Sequence, residues 1–125
     1  MNIACIGTGF VGVVTAAVFA KIGNNVVGLD IDPAKVESLK QGIVPFYEPG
    51  LQELLIETQK TGNLTFTTDY ASAIKDAEII MIMVGTPSDP DGQADLKYVF
   101  GASESLARWL KENAIVIIKS TVPPG

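Results

Sequence analysis

The chain of 125 residues contains no histidine and a single cysteine, Cys5. The first absence excludes histidine-based catalytic triads and the usual histidine-containing zinc sites, and no metal site is expected. The second excludes an internal disulfide, which fits a reducing compartment such as the cytoplasm. Basic residues are few and scattered: nine Lys and Arg against fourteen Asp and Glu, for a net charge of −5. With no basic cluster there is no electrostatic footprint for nucleic acid. No apolar run approaches the ~20 residues that a membrane span needs. The opening "MNIACIGTG" has no basic leader and runs straight into an apolar segment, so no signal peptide is expected.

What is present is apolar and periodic. The hydrophobic fraction is 47%, the composition of a well-buried globular chain. Four near-continuous apolar runs have the length and flanks of buried strands: "NIACIG", "NVVGLD", "EIIMIMV" (78–84) and "AIVIIKS" (114–120). "LTFT" (64–67) is a further short strand. Helical segments separate them. "FVGVVTAAVFAKI" (10–22) is apolar almost all round, which predicts cover on more than one side. "DPAKVESLKQG" carries Asp32 as N-cap and Pro33 at the first helical position. "LQELLIETQK" (51–60) is amphipathic, Asp69 can cap "YASAIKDA", and the period of "LKYVFGASESLARWLKE" extends a helix over 96–112.

Strands alternating with helices imply βαβ units with right-handed crossovers. The fold class is therefore α/β, a doubly wound, mostly parallel sheet of the Rossmann type. It stops after about the fifth strand, where such a sheet usually continues. The chain is accordingly expected to be one domain, 1–125, from a longer protein.

Gly7, Gly9 and Gly12 lie between the first strand and the first helix in the pattern G-x-G-x-x-G. The first allows the tight turn, the second lets backbone N–H groups approach a phosphate, and the third lets the helix pack closely on its strand. The helix N-terminus then offers unpaired N–H groups and a partial positive charge to a pyrophosphate. Asp30 ends the second strand, roughly 20 residues after the last glycine, where an acid can accept both ribose hydroxyls and repel a 2′-phosphate. That favours NAD over NADP. Lys35 is either a ribose contact or a solvated lysine. A P-loop is excluded because no G-x-x-x-x-G-K-[ST] string occurs. A methyltransferase nucleotide site often has an acid just before the first glycine, and that position here is Ile6.

Five stretches in order, "GTGFVG" (7–12), "LDID" (29–32), "PFYEPGL" (45–51), "VGTPSDPDGQADL" (84–96) and "KSTVPPG" (119–125), resemble the N-terminal portion of the nucleotide-sugar dehydrogenase family. The likeness covers the whole chain. It is nearest to members that oxidise UDP-glucose, with those acting on GDP-mannose as the rival and a non-catalytic nucleotide-binding module as a further alternative. The resemblance implies an oxidation of the sugar's C6 alcohol to a uronate in two NAD-dependent steps. A cysteine carries the thiohemiacetal and thioester between them.

The same resemblance implies cofactor contacts at Gly7, Gly9, Phe10, Val11, Gly12, Asp30, Lys35, Gly85, Thr86, Pro87, Ser120 and Thr121, with Thr121 also holding a catalytic water. It implies a homodimeric cytoplasmic parent enzyme whose nucleophilic cysteine, central helix and substrate domain lie beyond residue 125. The chain itself is then expected to be inactive. Cys5, inside a strand, is expected to be a buried structural thiol. Phe46, Tyr47 and Glu48 are expected to serve structure, with Pro49 in the first turn of the following helix. Tyr98 and Trp109 are expected to pack in an amphipathic helix.

Overall fold

The computed structural model describes residues 1–85, 90–92 and 96–119. The order of elements is β1 (Asn2–Ile6), α1 (Phe10–Lys21), β2 (Asn25–Leu29), α2 (Pro33–Lys40), α3 (Leu51–Lys60), β3 (Leu64–Thr67), α4 (Tyr70–Ile74), β4 (Ile79–Ile82), α5 (Lys97–Ala107) and β5 (Ile115–Ile118). The strands form one sheet in the order β3-β2-β1-β4-β5, and every neighbouring pair is parallel. The chain winds outward from β1 through β2 to β3, then crosses back to β4 and β5. The loops after β1 and β4 therefore part to opposite faces, and such a switch point opens a crevice at the C-terminal ends of the strands.

Alternation along β1 divides the core. Ile3 and Cys5 pack on one face with Val13, Ala16, Ala17 and Ala20 of α1 and with Leu51 and Leu55 of α3. Ala4 and Ile6 pack on the other with Ile74 of α4 and with Ala102 and Leu106 of α5. Small residues on α1 let that helix lie close to the sheet. Two caps anticipated in the sequence are formed. Asp32 Oδ1 accepts from the N–H of Ala34 at 3.0 Å, and Asp69 Oδ1 accepts from that of Ala71 at 3.1 Å.

α1 is covered on more than one side, by the sheet and by α3, as its composition predicts, although Val11 and Val18 are exposed. The structure departs from the sequence reading in three other places. All four residues of β5 are exposed among the described residues, because β5 pairs only with β4 and no described helix packs closely on its faces. α5 ends at Ala107, with Arg108 as its C-cap, so Trp109 lies beyond the helix. Finally, Gly50 caps α3 with φ +81°, a conformation that glycine adopts without strain, which places Pro49 before the cap and outside the first turn.

Candidate functional site

The crevice at the switch point is a cleft of about 780 Å³. The β1–α1 turn forms one wall. Gly7 has φ +100° and donates its N–H to Leu29 O at 2.8 Å, which ties the turn to the end of β2. A Cβ on Gly7 would lie 2.5 Å from Met83 O, and one on Gly12 would run into the carbonyl oxygen of Gly7. Two of the three glycines are thus demanded by the chain's own packing. Gly9 is not. Its φ is −75°, and a Cβ there would meet no heavy atom within 4 Å. Gly9 is also the N-cap of α1, which has no side-chain cap and no acid in its first turn. The arrangement leaves a helix N-terminus open toward the cleft, a geometry suited to an anion.

Asp30 faces this corner from the end of β2. Its Oδ2 accepts the Thr8 hydroxyl at 2.7 Å and the Thr8 N–H at 3.1 Å, and Lys35 Nζ lies 3.5 Å away. Its Oδ1 accepts the N–H of Asp32 at 3.0 Å. Burial alone would push this carboxyl up. The Thr8 hydroxyl, the N–H groups of Asp32 and Thr8, and the Lys35 charge outweigh it and hold the carboxyl below the usual range. Asp30 is therefore an anion at neutral pH.

This has a consequence for stability. A carboxyl whose folded value lies below its unfolded value of about 3.9 stabilises the fold fully above that value and loses the contribution as pH falls through the folded one. Asp30→Asn is accordingly expected to flatten the acid limb of the stability curve below about pH 4, measured as urea midpoints from pH 6 downward. Equal slopes for the two proteins would contradict it.

Gly7, Gly9, Phe10, Val11, Gly12, Asp30, Lys35 and Gly85 all line the one cleft. Thr86, Pro87, Ser120 and Thr121 lie outside the described residues, although Lys119, next to Ser120, reaches the cleft. Phe10 meets the ring of Phe46 edge-on, with centroids 5.2 Å apart, and so pins the "VPFYEP" connection to the mouth of the cleft. Tyr47 beside it is fully in solvent, at 88% exposure.

Other cleft residues are not among the cofactor positions expected from the sequence. Thr8 occupies a variable position of the glycine pattern yet is 3% exposed. Tyr70 of α4 and Tyr98, Ala102 and Ser105 of α5 line the far wall. The packing role expected for Tyr98 is thus corrected: its ring lines the cleft, with Lys97 Nζ 5.1 Å from the ring centroid. Burial pushes the Tyr70 hydroxyl up, opposed by its hydrogen bond with Ser105 and reinforced by the Asp30 charge.

Cys5 has no exposure and its thiol is pushed up to about 12 by burial. It is expected to resist a thiol reagent at pH 8 in the native chain and to react at least ~100-fold faster in denaturant. Equal rates would mean that β1 opens readily. Among the described residues, no group of three or more Cys, Asp or Glu could hold a metal ion, and no helix is long and apolar enough to cross a membrane.

A family model described as the NAD-binding domain of the UDP-glucose/GDP-mannose dehydrogenase family matches residues 1–125. The chain belongs to that family. Among its relatives, the UDP-glucose 6-dehydrogenase TuaD of Bacillus subtilis is 49% identical over 99% of this chain and 27% of its own length. The solved structure of a UDP-glucose dehydrogenase from the archaeon Pyrobaculum islandicum superposes with a TM-score of 0.91 at 42% identity, over 98% of this chain and 29% of that one. A GDP-mannose dehydrogenase from Pseudomonas aeruginosa, solved as a ternary complex, superposes with a TM-score of 0.93 at 37% identity, over 100% of this chain and 29% of that one. The chain thus spans less than a third of the length of these family members. Its sheet is the Rossmann-type sheet of the family's NAD-binding domain, and NAD is the cofactor of the domain it matches. The open Gly9 cradle, the uncapped α1 N-terminus and the acid at the end of β2 all suit a dinucleotide.

Proposed function

We propose that this chain holds NAD along its cleft as the cofactor half of a UDP-glucose 6-dehydrogenase. The observation that carries the reading is Gly9: it is glycine although its own backbone and packing would tolerate a side chain. The space that a Cβ would take is the space a pyrophosphate needs beside the first N–H groups of α1. Asp30 accepts from the adenosine ribose and repels a 2′-phosphate, and Lys35 lies beside the same carboxylate. Gly7 and Gly12 set the turn, and Phe10, Val11 and Gly85 flank the cofactor. Thr86, Pro87, Ser120 and Thr121 extend the site in the roles implied by the family resemblance, Thr121 holding a water near the reacting centre.

Bound NAD supplies the hydride acceptor for oxidation of the sugar alcohol. The residues of this chain bind and orient it and keep Asp30 ionised. They offer no accessible thiol, since Cys5 is sealed in β1. We place the nucleophile, the sugar-binding residues and a dimer interface in additional chain of the parent enzyme, acting in the cytoplasm to convert UDP-glucose to UDP-glucuronate. Higher identity to the Pyrobaculum UDP-glucose enzyme than to the GDP-mannose enzyme, 42% against 37%, supports that substrate. GDP-mannose is the second reading, supported by the equally close superposition on its dehydrogenase.

Calorimetric titration of the chain with NAD and NADP tests the proposal. NAD is expected to bind more tightly than NADP. Asp30→Ala is expected to weaken NAD by about 10- to 100-fold, the worth of a hydrogen bond to a charged group, and to narrow the gap between the two cofactors. Equal affinity of the unmodified chain for NAD and NADP would overturn the assignment of Asp30.

A further inference from the structure

Thr8 and Thr58 are buried polar side chains, and they use their hydroxyls differently. Thr58 turns back to Leu54 O, one turn earlier in its own helix. Thr8 instead reaches from the β1–α1 turn to the end of the neighbouring strand and gives both its hydroxyl and its N–H to a single oxygen, Oδ2 of Asp30. An ionised carboxylate has about four acceptor positions, two on each oxygen. On Oδ2, Thr8 takes both, and Lys35 Nζ lies 3.5 Å from the same oxygen, so Oδ2 has no room for a further donor. On Oδ1, the N–H of Asp32 takes one. One acceptor position remains, on Oδ1. Bonds to a charged acceptor are roughly twice as strong as neutral ones, so this pose is held firmly.

We propose that Thr8 is a positioning residue for cofactor selection: by holding Oδ2 it turns the one open acceptor of Asp30 toward the cleft, so that Asp30 takes a single ribose hydroxyl. This rests on the reading of Asp30 as the ribose contact. It also changes that reading, because a carboxylate held this way does not receive both hydroxyls of the diol. Lys35, a donor at the edge of the same carboxylate and partly exposed, is within reach to serve the second. The fixed pose has a further effect on discrimination. A free carboxylate could rotate away from a 2′-phosphate and soften the repulsion, whereas one clamped by Thr8 cannot.

The test uses Thr8→Val, which keeps the buried shape and the N–H but removes the hydroxyl, and Thr8→Ser, which keeps the hydroxyl. Each is titrated with NAD and NADP by calorimetry, and the Asp30 carboxyl is followed by NMR against pH. Thr8→Val is expected to weaken NAD by about tenfold and to lower the NAD-to-NADP preference by a similar factor, with the Asp30 carboxyl titrating higher. Thr8→Ser is expected to match the unmodified chain in all three readouts. In an Asp30→Ala background, Thr8→Val is expected to change neither affinity further.

A merely structural role would lower the melting temperature of both variants and leave the cofactor preference untouched, and that result would overturn the proposal. So would an unchanged preference in Thr8→Val whose Asp30 carboxyl has moved. Absence of NAD binding by the unmodified chain overturns the underlying reading instead. NAD binding by the unmodified chain with no effect of Thr8→Val overturns only the positioning role. If Thr8→Val fails to fold, Thr8→Ala and Thr8→Ser form the same comparison.

Discussion

Gly9→Asp is expected to fold at least as stably as the unmodified chain and to lose NAD affinity by about 100-fold or more, so that stability and binding move in opposite directions. Each half has its own warrant. Gly9 has an ordinary φ of −75° and open space where a Cβ would stand, so no strain accompanies a side chain. It is also the N-cap of α1, a helix with no side-chain cap of its own and no acid in its first turn. Aspartate is a favoured cap and its charge suits the positive end of the helix. The same carboxylate would occupy the N–H groups a pyrophosphate requires and repel its charge. Thermal melting and calorimetric titration of the one variant provide both readouts. A variant that binds NAD like the unmodified chain would remove the pyrophosphate from this corner.

Gly12→Ala, three residues away, is expected to do the reverse. Its new methyl would run into the carbonyl oxygen of Gly7, a backbone atom, and neither partner is the movable end of a side chain. Gly7 cannot retreat easily, because its N–H is bonded to Leu29 O and its own Cα faces Met83 O. Relief requires α1 to move off β1, where Val13, Ala16 and Ala17 are fully packed. The loss is expected to be about 3 kcal/mol or more, at the upper end of overpacking costs, and is read as a fall in the urea midpoint. A loss below about 1 kcal/mol would mean that the α1–β1 contact is looser than described. Together the two variants separate a glycine kept for a ligand from one kept for the fold, a distinction invisible in the motif itself.

Much of the architecture was legible in the residues because it rests on local chemistry. The apolar runs of β1, β2 and β4 announce buried parallel strands, and Asp32-Pro33 and Asp69 announce helix starts that form as expected. Gly7, Gly9, Gly12, Asp30 and Lys35, to which the glycine pattern and the acid after the second strand point, line one cleft, as do Phe10, Val11 and Gly85, which only the family resemblance implies. What escaped depends on crossings that no local pattern encodes. β5 has the apolar run of a buried strand, but no described helix packs closely on its faces, which leaves it exposed. Tyr98 has the helical spacing of a packing residue, yet it is exposed and lines the cleft. Thr8 sits at a position the motif leaves free, and its partner lies on another strand, so only the pairing of Ile6 with Leu29 brings the two together. α5 is shorter than its apolar period, which persists past Ala107, because the chain turns there toward β5 through Asn113 at φ +69°.

In the proposed complex NAD lies across the β1–α1 turn with its ribose at Asp30. The most direct measurement is an amide NMR titration of the isotope-labelled chain with NAD. It predicts saturable shifts concentrated at Gly9, Phe10, Val11, Thr8, Asp30 and Gly85, with little change at Asn25, Asn63 and Ser72 on the opposite edge of the sheet. Shifts gathered at that opposite edge, or none that saturate, would contradict it.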